Sequence, residues 1–136
     1  MSDSEAYEAG MKTRREVLGD AHVDRATAAA GEFGAPFQEF ITRYAWGSVW
    51  SRPGIDRRMR SAITLTALVS LRAENELGMH VRAALGNGLT PDEIREVILH
   101  TAVYAGVPAA NAAFAVAQRV LAGQGIGAWP VCGANG

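Results

Sequence analysis

Thr90-Pro91-Asp92-Glu93-Ile94-Arg95-Glu96-Val97-Ile98 spells out the start of a helix in its side chains. Thr90 stands at the N-cap, where its hydroxyl can accept a backbone N–H. Glu93 follows three residues later, where it can reach back to the cap. Pro91 fits the first helical position, because the N–H it lacks would go unsatisfied there anyway. Ile94, Val97, Ile98, Thr101 and Ala105 then recur at three- and four-residue intervals. They form one apolar helix face, which Gly106 and Pro108 punctuate.

The same signals extend in both directions. Upstream, Gly86-Asn87-Gly88 closes a helix over about Glu74–Leu85 that carries Leu77, Val81 and Ala84 on one face. Before it, Arg57–Leu71 is apolar nearly all round, as suits a helix in the middle of a bundle or at a subunit interface. Asp56 is its expected N-cap, after a turn at Ser51-Arg52-Pro53-Gly54. Phe37, Phe40, Ile41 and Tyr44 predict a helix that reaches Trp46. Gly31 and Gly34-Ala35-Pro36 are read as breaks separating it from a short helix between Asp20 and Ala30. The first helix is expected over Glu5–Leu18, stopped by Gly19. Downstream, an Ala-rich helix runs from about Ala109 to Ala122. No segment keeps a period of two for long, and no internal repeat is present. The expected fold is all-α, a compact bundle of about six helices. Residues 1–122 form one domain, and a Gly-rich tail over 123–136 docks, if at all, through Trp129. Alanines bury little area each, so a chain of this size gains from self-association.

Composition narrows the function classes. The 136 residues suit one domain, 49% are hydrophobic, and 20% are charged. Thirteen Lys and Arg against 14 Asp and Glu leave a net charge of −1, which argues against nucleic acid or an anionic membrane as partner. Cys132 is the one cysteine, so neither an internal disulfide nor a Cys-based metal site can form. The acidic start, Met1-Ser2-Asp3-Ser4-Glu5, is not a secretory signal, and no apolar run has the ~20 residues of a membrane span. The expected location is the cytoplasm. Phosphate loops, nucleophile elbows and dinucleotide fingerprints are absent, which disfavours nucleotide, flavin and acyl-enzyme chemistry.

Glu74, Glu76 and His80 are the most suggestive constellation. Glu76 and His80 stand four apart, on one side of a helix, and His80 shares the stripe of Leu77, Val81 and Ala84. The imidazole is therefore expected to point inward, with a carboxylate one turn away. Such a pair can transfer protons in a partly dry site. A hydrogen-bonded core histidine would have the same pattern, and both readings stand at this point. Glu-x-x-x-His could also supply two metal ligands. The other histidines, His22 and His100, arrive in no ligand motif, so no metal is expected. Arg43, Arg57, Arg58, Arg60, Arg72 and Arg82 crowd the middle of the chain, and a small polycarboxylate would need one or two of them as bidentate clamps. Trp46 and Trp50 are expected as core or interface anchors, and His100 with Tyr104 as flank residues.

Longer stretches carry a resemblance. Tyr7-Glu8-Ala9-Gly10-Met11, Arg14-Arg15-Glu16-Val17-Leu18-Gly19-Asp20-Ala21-His22-Val23, Phe37-Gln38-Glu39-Phe40-Ile41-Thr42 and Ala45-Trp46-Gly47 resemble the carboxymuconolactone decarboxylase family. So do Trp50, Arg52-Pro53-Gly54, Arg60-Ser61, Glu76, His80, Arg82-Ala83-Ala84, Asn87-Gly88, Glu93-Ile94-Arg95-Glu96-Val97 and Tyr104-Ala105-Gly106-Val107-Pro108-Ala109-Ala110-Asn111. The match is co-linear over about residues 5–122. Alkylhydroperoxidase-like relatives in the wider superfamily carry Cys-x-x-Cys-x-x-x-His. Aligned on His80, the two cysteine positions hold Ala73 and Glu76, which removes the thiol chemistry.

The resemblance implies an alkylhydroperoxidase-like bundle assembled as a ring, a trimer or hexamer, with sites near subunit contacts. It implies decarboxylation of 4-carboxymuconolactone to the enol-lactone of 3-oxoadipate, in protocatechuate breakdown by the β-ketoadipate route. No cofactor is expected, because the lactone itself can take up the electrons left by the departing carboxylate. On this reading His80 delivers the proton and Glu76 orients it, or the reverse. Arg60 first, then Arg43 and Arg72, are the candidates for holding the carboxylate or the oxyanion. Two alternatives stay open: decarboxylation or isomerisation of another small lactone or β-keto acid, and a non-catalytic assembly that binds a small acid or a partner.

Overall fold

The structure, a computed structural model, describes residues 2–126. Six α-helices and one π-helical segment make up its regular elements: α1 (Asp3–Leu18), α2 (Asp20–Ile41), the π segment (Thr42–Trp50), α3 (Arg57–Ser70), α4 (Glu74–Gly86), α5 (Pro91–Ala105) and α6 (Val107–Gly123). No strand occurs among the described residues, as the all-α reading requires. They fall into two compact units, Met1–Arg60 and Ser61–Gly136, with the boundary inside α3. The expected tail anchor Trp129, and Cys132, lie outside the described residues.

In the first unit, α1 begins where Ser2 caps it, accepting the Glu5 N–H at 3.1 Å. The helix starts two residues before the expected Glu5. It ends at Gly19, whose φ of 91° suits glycine and whose N–H returns to the Arg15 carbonyl. The buried residues of α1 are Ala6, Gly10, Thr13, Arg14 and Val17, a single stripe at helical spacing. That stripe packs on the π segment. Contact is close because two glycines permit it. A Cβ at Gly10 would collide with the Thr42 carbonyl and the Gly47 nitrogen, and one at Gly47 with the Ala6 carbonyl. Trp46 is buried beside this seam, with its ring 5.0 Å from that of Trp50.

Two expectations change here. The predicted break at Gly34-Ala35-Pro36 does not occur. The chain kinks once, at Gly31 (φ 57°, ψ −160°), and the helix resumes through Pro36 to Ile41. Pro36 lies in the second turn after the kink, so it removes a single helical hydrogen bond there. The helix expected to stop near Trp46 instead widens into the π segment and ends at Trp50, with the Ser51 N–H bonding to the Trp46 carbonyl five residues back.

In the second unit, Leu65 and Val69 of α3 meet Leu77, Val81 and Ala84 of α4, Ile94 and Ile98 of α5, and Ala113 and Val116 of α6 in one core. Gly78 of α4 faces Val116 and Val120 of α6, where a Cβ would sit 3.6 and 3.7 Å away, in ordinary van der Waals contact. The capping box before α5 forms as read. Thr90 accepts the Glu93 N–H at 3.1 Å and Glu93 accepts the Thr90 N–H at 2.9 Å. Helix α3 is not buried all round; Ser61, Leu65 and Val69 are inside, while Met59 and Ile63, and Leu71 just after the helix, are exposed.

Candidate active site

Helix α4 sets the geometry of the predicted pair. Ala73 precedes its first turn, which carries Glu74 and Glu76. Acidic groups there complement the positive end of the helix dipole. One turn later His80 is 8% exposed, flanked on its own helix by buried Leu77, Val81, Ala83 and Ala84. The inward placement expected from the apolar stripe is met. Glu76, in the first turn, is exposed. A buried imidazole thus stands one helical turn from an exposed carboxylate.

The candidate clamps fall in different places. Arg72 follows α3 with a left-handed φ of 59° and stands 3.7 Å from Glu74, both side chains about half exposed. It shares the second unit with Glu76 and His80. Arg60 and Arg43 belong to the first unit. Arg60 Nη2 donates to the Arg52 carbonyl at 3.0 Å, tying α3 to the preceding turn. Arg43, half-buried on the π segment, lines a cleft of about 390 Å3 with Asp3, Ser4, Tyr7 and Glu39. Arg57 pairs with Glu16 at 2.8 Å. Among the described residues no three His, Cys, Asp or Glu side chains gather as a metal-binding set would, and no helix is long and apolar enough to cross a membrane. His100 and Tyr104 are exposed, their rings 5.4 Å apart, in keeping with a flank position.

Sequence reasoning passed over Arg14. It is 3% exposed, with Nη1 donating to Thr42 Oγ1 at 3.2 Å and Nη2 to Gln38 Oε1 at 2.8 Å. Burial pushes its pKa down from the usual guanidinium value; Tyr7 opposes that shift and Arg15 adds to it. The neighbouring Arg15 is held the other way, its pKa raised by hydrogen bonds to Asp24 and Asp20. The signal for Arg14 was present in the spacing, since Ala6, Gly10, Arg14 and Val17 share one helix face. Its residue type masked it, because arginines are seldom fully buried.

With this geometry in view, comparison with known proteins decides the kinship. The model of the carboxymuconolactone decarboxylase family matches residues 35–119. The chain belongs to that family. It is 48% identical over 126 residues to the 4-carboxymuconolactone decarboxylase of Acinetobacter baylyi, covering 93% of this chain and 94% of that one. It is 46% identical over 115 residues to the nitrosuccinic acid decarboxylase of Metarhizium robertsii, covering 85% and 80% of the two chains. A 4-carboxymuconolactone decarboxylase sequence from Pseudomonas putida is 53% identical over 47 residues, 35% of this chain and 98% of that sequence. The matched span of the decarboxylase family contains Glu76, His80 and all three candidate clamps, whereas Arg14 lies before it.

Proposed function

We propose that this chain decarboxylates 4-carboxymuconolactone to the enol-lactone of 3-oxoadipate. The observation that carries the reading is the near full-length, 48% identical relative of that name. The buried histidine on α4 supports it. The bond between the ring carbon and its carboxyl group breaks, carbon dioxide leaves, and the electron pair passes through the ring double bond to the lactone carbonyl. A dienolate results. Protonation on the carbon next to that carbonyl yields the enol-lactone. The electron sink belongs to the substrate, so the protein has to hold the carboxylates, stabilise the oxyanion and supply one proton, without a cofactor.

His80 is the proposed proton donor, with Glu76 positioning it and reloading it from water. Its apolar surroundings on α4 limit competing water at the reacting carbon. Arg60, Arg43 and Arg72 remain the proposed partners of the substrate's negative charge. Arg72 is the one that shares a compact unit with the pair. The proposal includes a cytoplasmic location and a homo-oligomeric ring. Large apolar side chains left exposed in the single chain, among them Phe33, Leu71, Val103 and Tyr104, support self-association.

A second reading, decarboxylation of another small acid, is favoured by the nitrosuccinic acid decarboxylase relative. A nitro group can accept the electrons of a departing carboxylate much as the lactone does, so the same protein groups would serve. The deciding experiment forms 4-carboxymuconolactone in place from 3-carboxymuconate with a cycloisomerase. Carbon dioxide release and enol-lactone formation are then followed with and without this protein, and with added chelator. Fast, chelator-resistant turnover is expected. Turnover of nitrosuccinate with none of the lactone would replace the first reading by the second.

A further inference from the structure

The first unit contains a cleft lined by none of the residues to which the proposed reaction assigns a role. It encloses about 720 Å3 between α1, α2 and the start of the π segment, and Tyr7, Met11, Arg14, Gln38 and Thr42 are among its walls. Arg14 is its unusual member. The side chain is buried, its two terminal nitrogens donate to neutral oxygens only, and Nε is buried with no hydrogen-bond partner. No carboxylate among the described residues neutralises it. Arg15 engages Asp20 and Asp24 at 3.1 and 2.9 Å, and Glu39, which also lines the cleft, is exposed and makes no ion pair with Arg14.

A guanidinium taken out of water without a counter-charge carries a desolvation cost that neutral acceptors offset in part. Its planar fork matches the two oxygens of a carboxylate, Arg14 lines the cleft, and its buried Nε–H has no acceptor within the protein. Met11, Ala28 and Ala35 offer apolar wall for a short carbon skeleton, and the Tyr7 hydroxyl a second donor. We propose that this cleft binds a small carboxylate, seated on Arg14 as its counter-charge, with Gln38 and Thr42 holding the guanidinium in position. The carboxylate could be the enzyme's own substrate or a separate acid, and the chemistry recognised is the same. The site does not depend on which decarboxylation the protein catalyses.

Succinate is the probe, and the side-chain Nε–Hε resonances of the full-length, 15N-labelled protein are the readout. The Arg14 signal is identified as the one lost in Arg14→Lys. Succinate should shift it saturably in the parent protein. Gln38→Glu is the decisive variant, because its carboxylate would stand where Gln38 Oε1 now lies, 2.8 Å from Arg14 Nη2. An internal counter-ion should keep or raise the melting temperature while weakening succinate binding roughly tenfold or more. If the bound acid is the substrate, Gln38→Glu also raises KM for the lactone. If it is a separate acid, KM stays unchanged while succinate binding is lost. An Arg14 signal indifferent to succinate overturns the proposal, as does undiminished binding by a folded Gln38→Glu.

Discussion

His80 is where one side chain decides the most. A proton donor within reach of the reacting carbon typically contributes roughly 10²–10⁴-fold in rate. His80→Ala should therefore lower kcat by about that factor while the protein remains folded. Turnover within a few-fold of the parent would remove His80 from the reaction. Glu76→Gln keeps the size of the exposed side chain and removes its charge. Its expected effect is smaller, from a few-fold to roughly 10²-fold in kcat, together with an altered pH–rate profile. Both residues stood out in the sequence because helical spacing alone puts His80 with Leu77, Val81 and Ala84. Arg14 did not, although it occupies an equally regular stripe. Whether a polar residue on such a stripe is buried depends on what packs over it, and here that is the π segment.

At the scale of elements, caps and close approaches carry separable costs. Thr90→Ala breaks the hydroxyl half of the capping box and should cost about 1 kcal/mol. In a chain of this size that lowers the melting temperature by about 4 °C, readable by circular dichroism. Gly10→Ala should cost more, roughly 1–3 kcal/mol or beyond, because the added methyl meets backbone of the π segment rather than a movable side chain. A melting temperature equal to the parent's would show that α1 can shift without loss. The helix start at Thr90 and the helix stop at Gly19 were legible because capping chemistry is local. The continuation of α2 past Gly34-Ala35-Pro36, and the widened turn beyond Ile41, were not. The kink at Gly31 starts a new helical segment in which Pro36 forfeits one hydrogen bond without ending the helix, and a π turn has no sequence code of its own.

For the whole molecule, the exposed apolar side chains set the expectation. Phe33 is 102% exposed and Tyr104 81%, two of twelve large apolar side chains left exposed among the described residues of the single chain. Light scattering coupled to size exclusion should give a trimer or hexamer. Phe33→Glu should shift that assembly toward smaller species if α2 lies at the contact. On a monomeric surface the same change would alter stability by no more than about 0.5 kcal/mol, and a parent protein eluting as a monomer would defeat the ring. By itself the sequence determined the helical class, most helix boundaries and the inward turn of His80. Period and capping are properties of neighbouring residues, and they survive without tertiary information. Only the tertiary structure decided that Arg14 is buried, that Gly10 and Gly47 let α1 meet the π segment backbone to backbone, and that Met59 and Ile63 on α3 stay exposed. Those outcomes depend on which surfaces meet, and residues distant in the chain settle that through the area they bury and the polar groups they satisfy together.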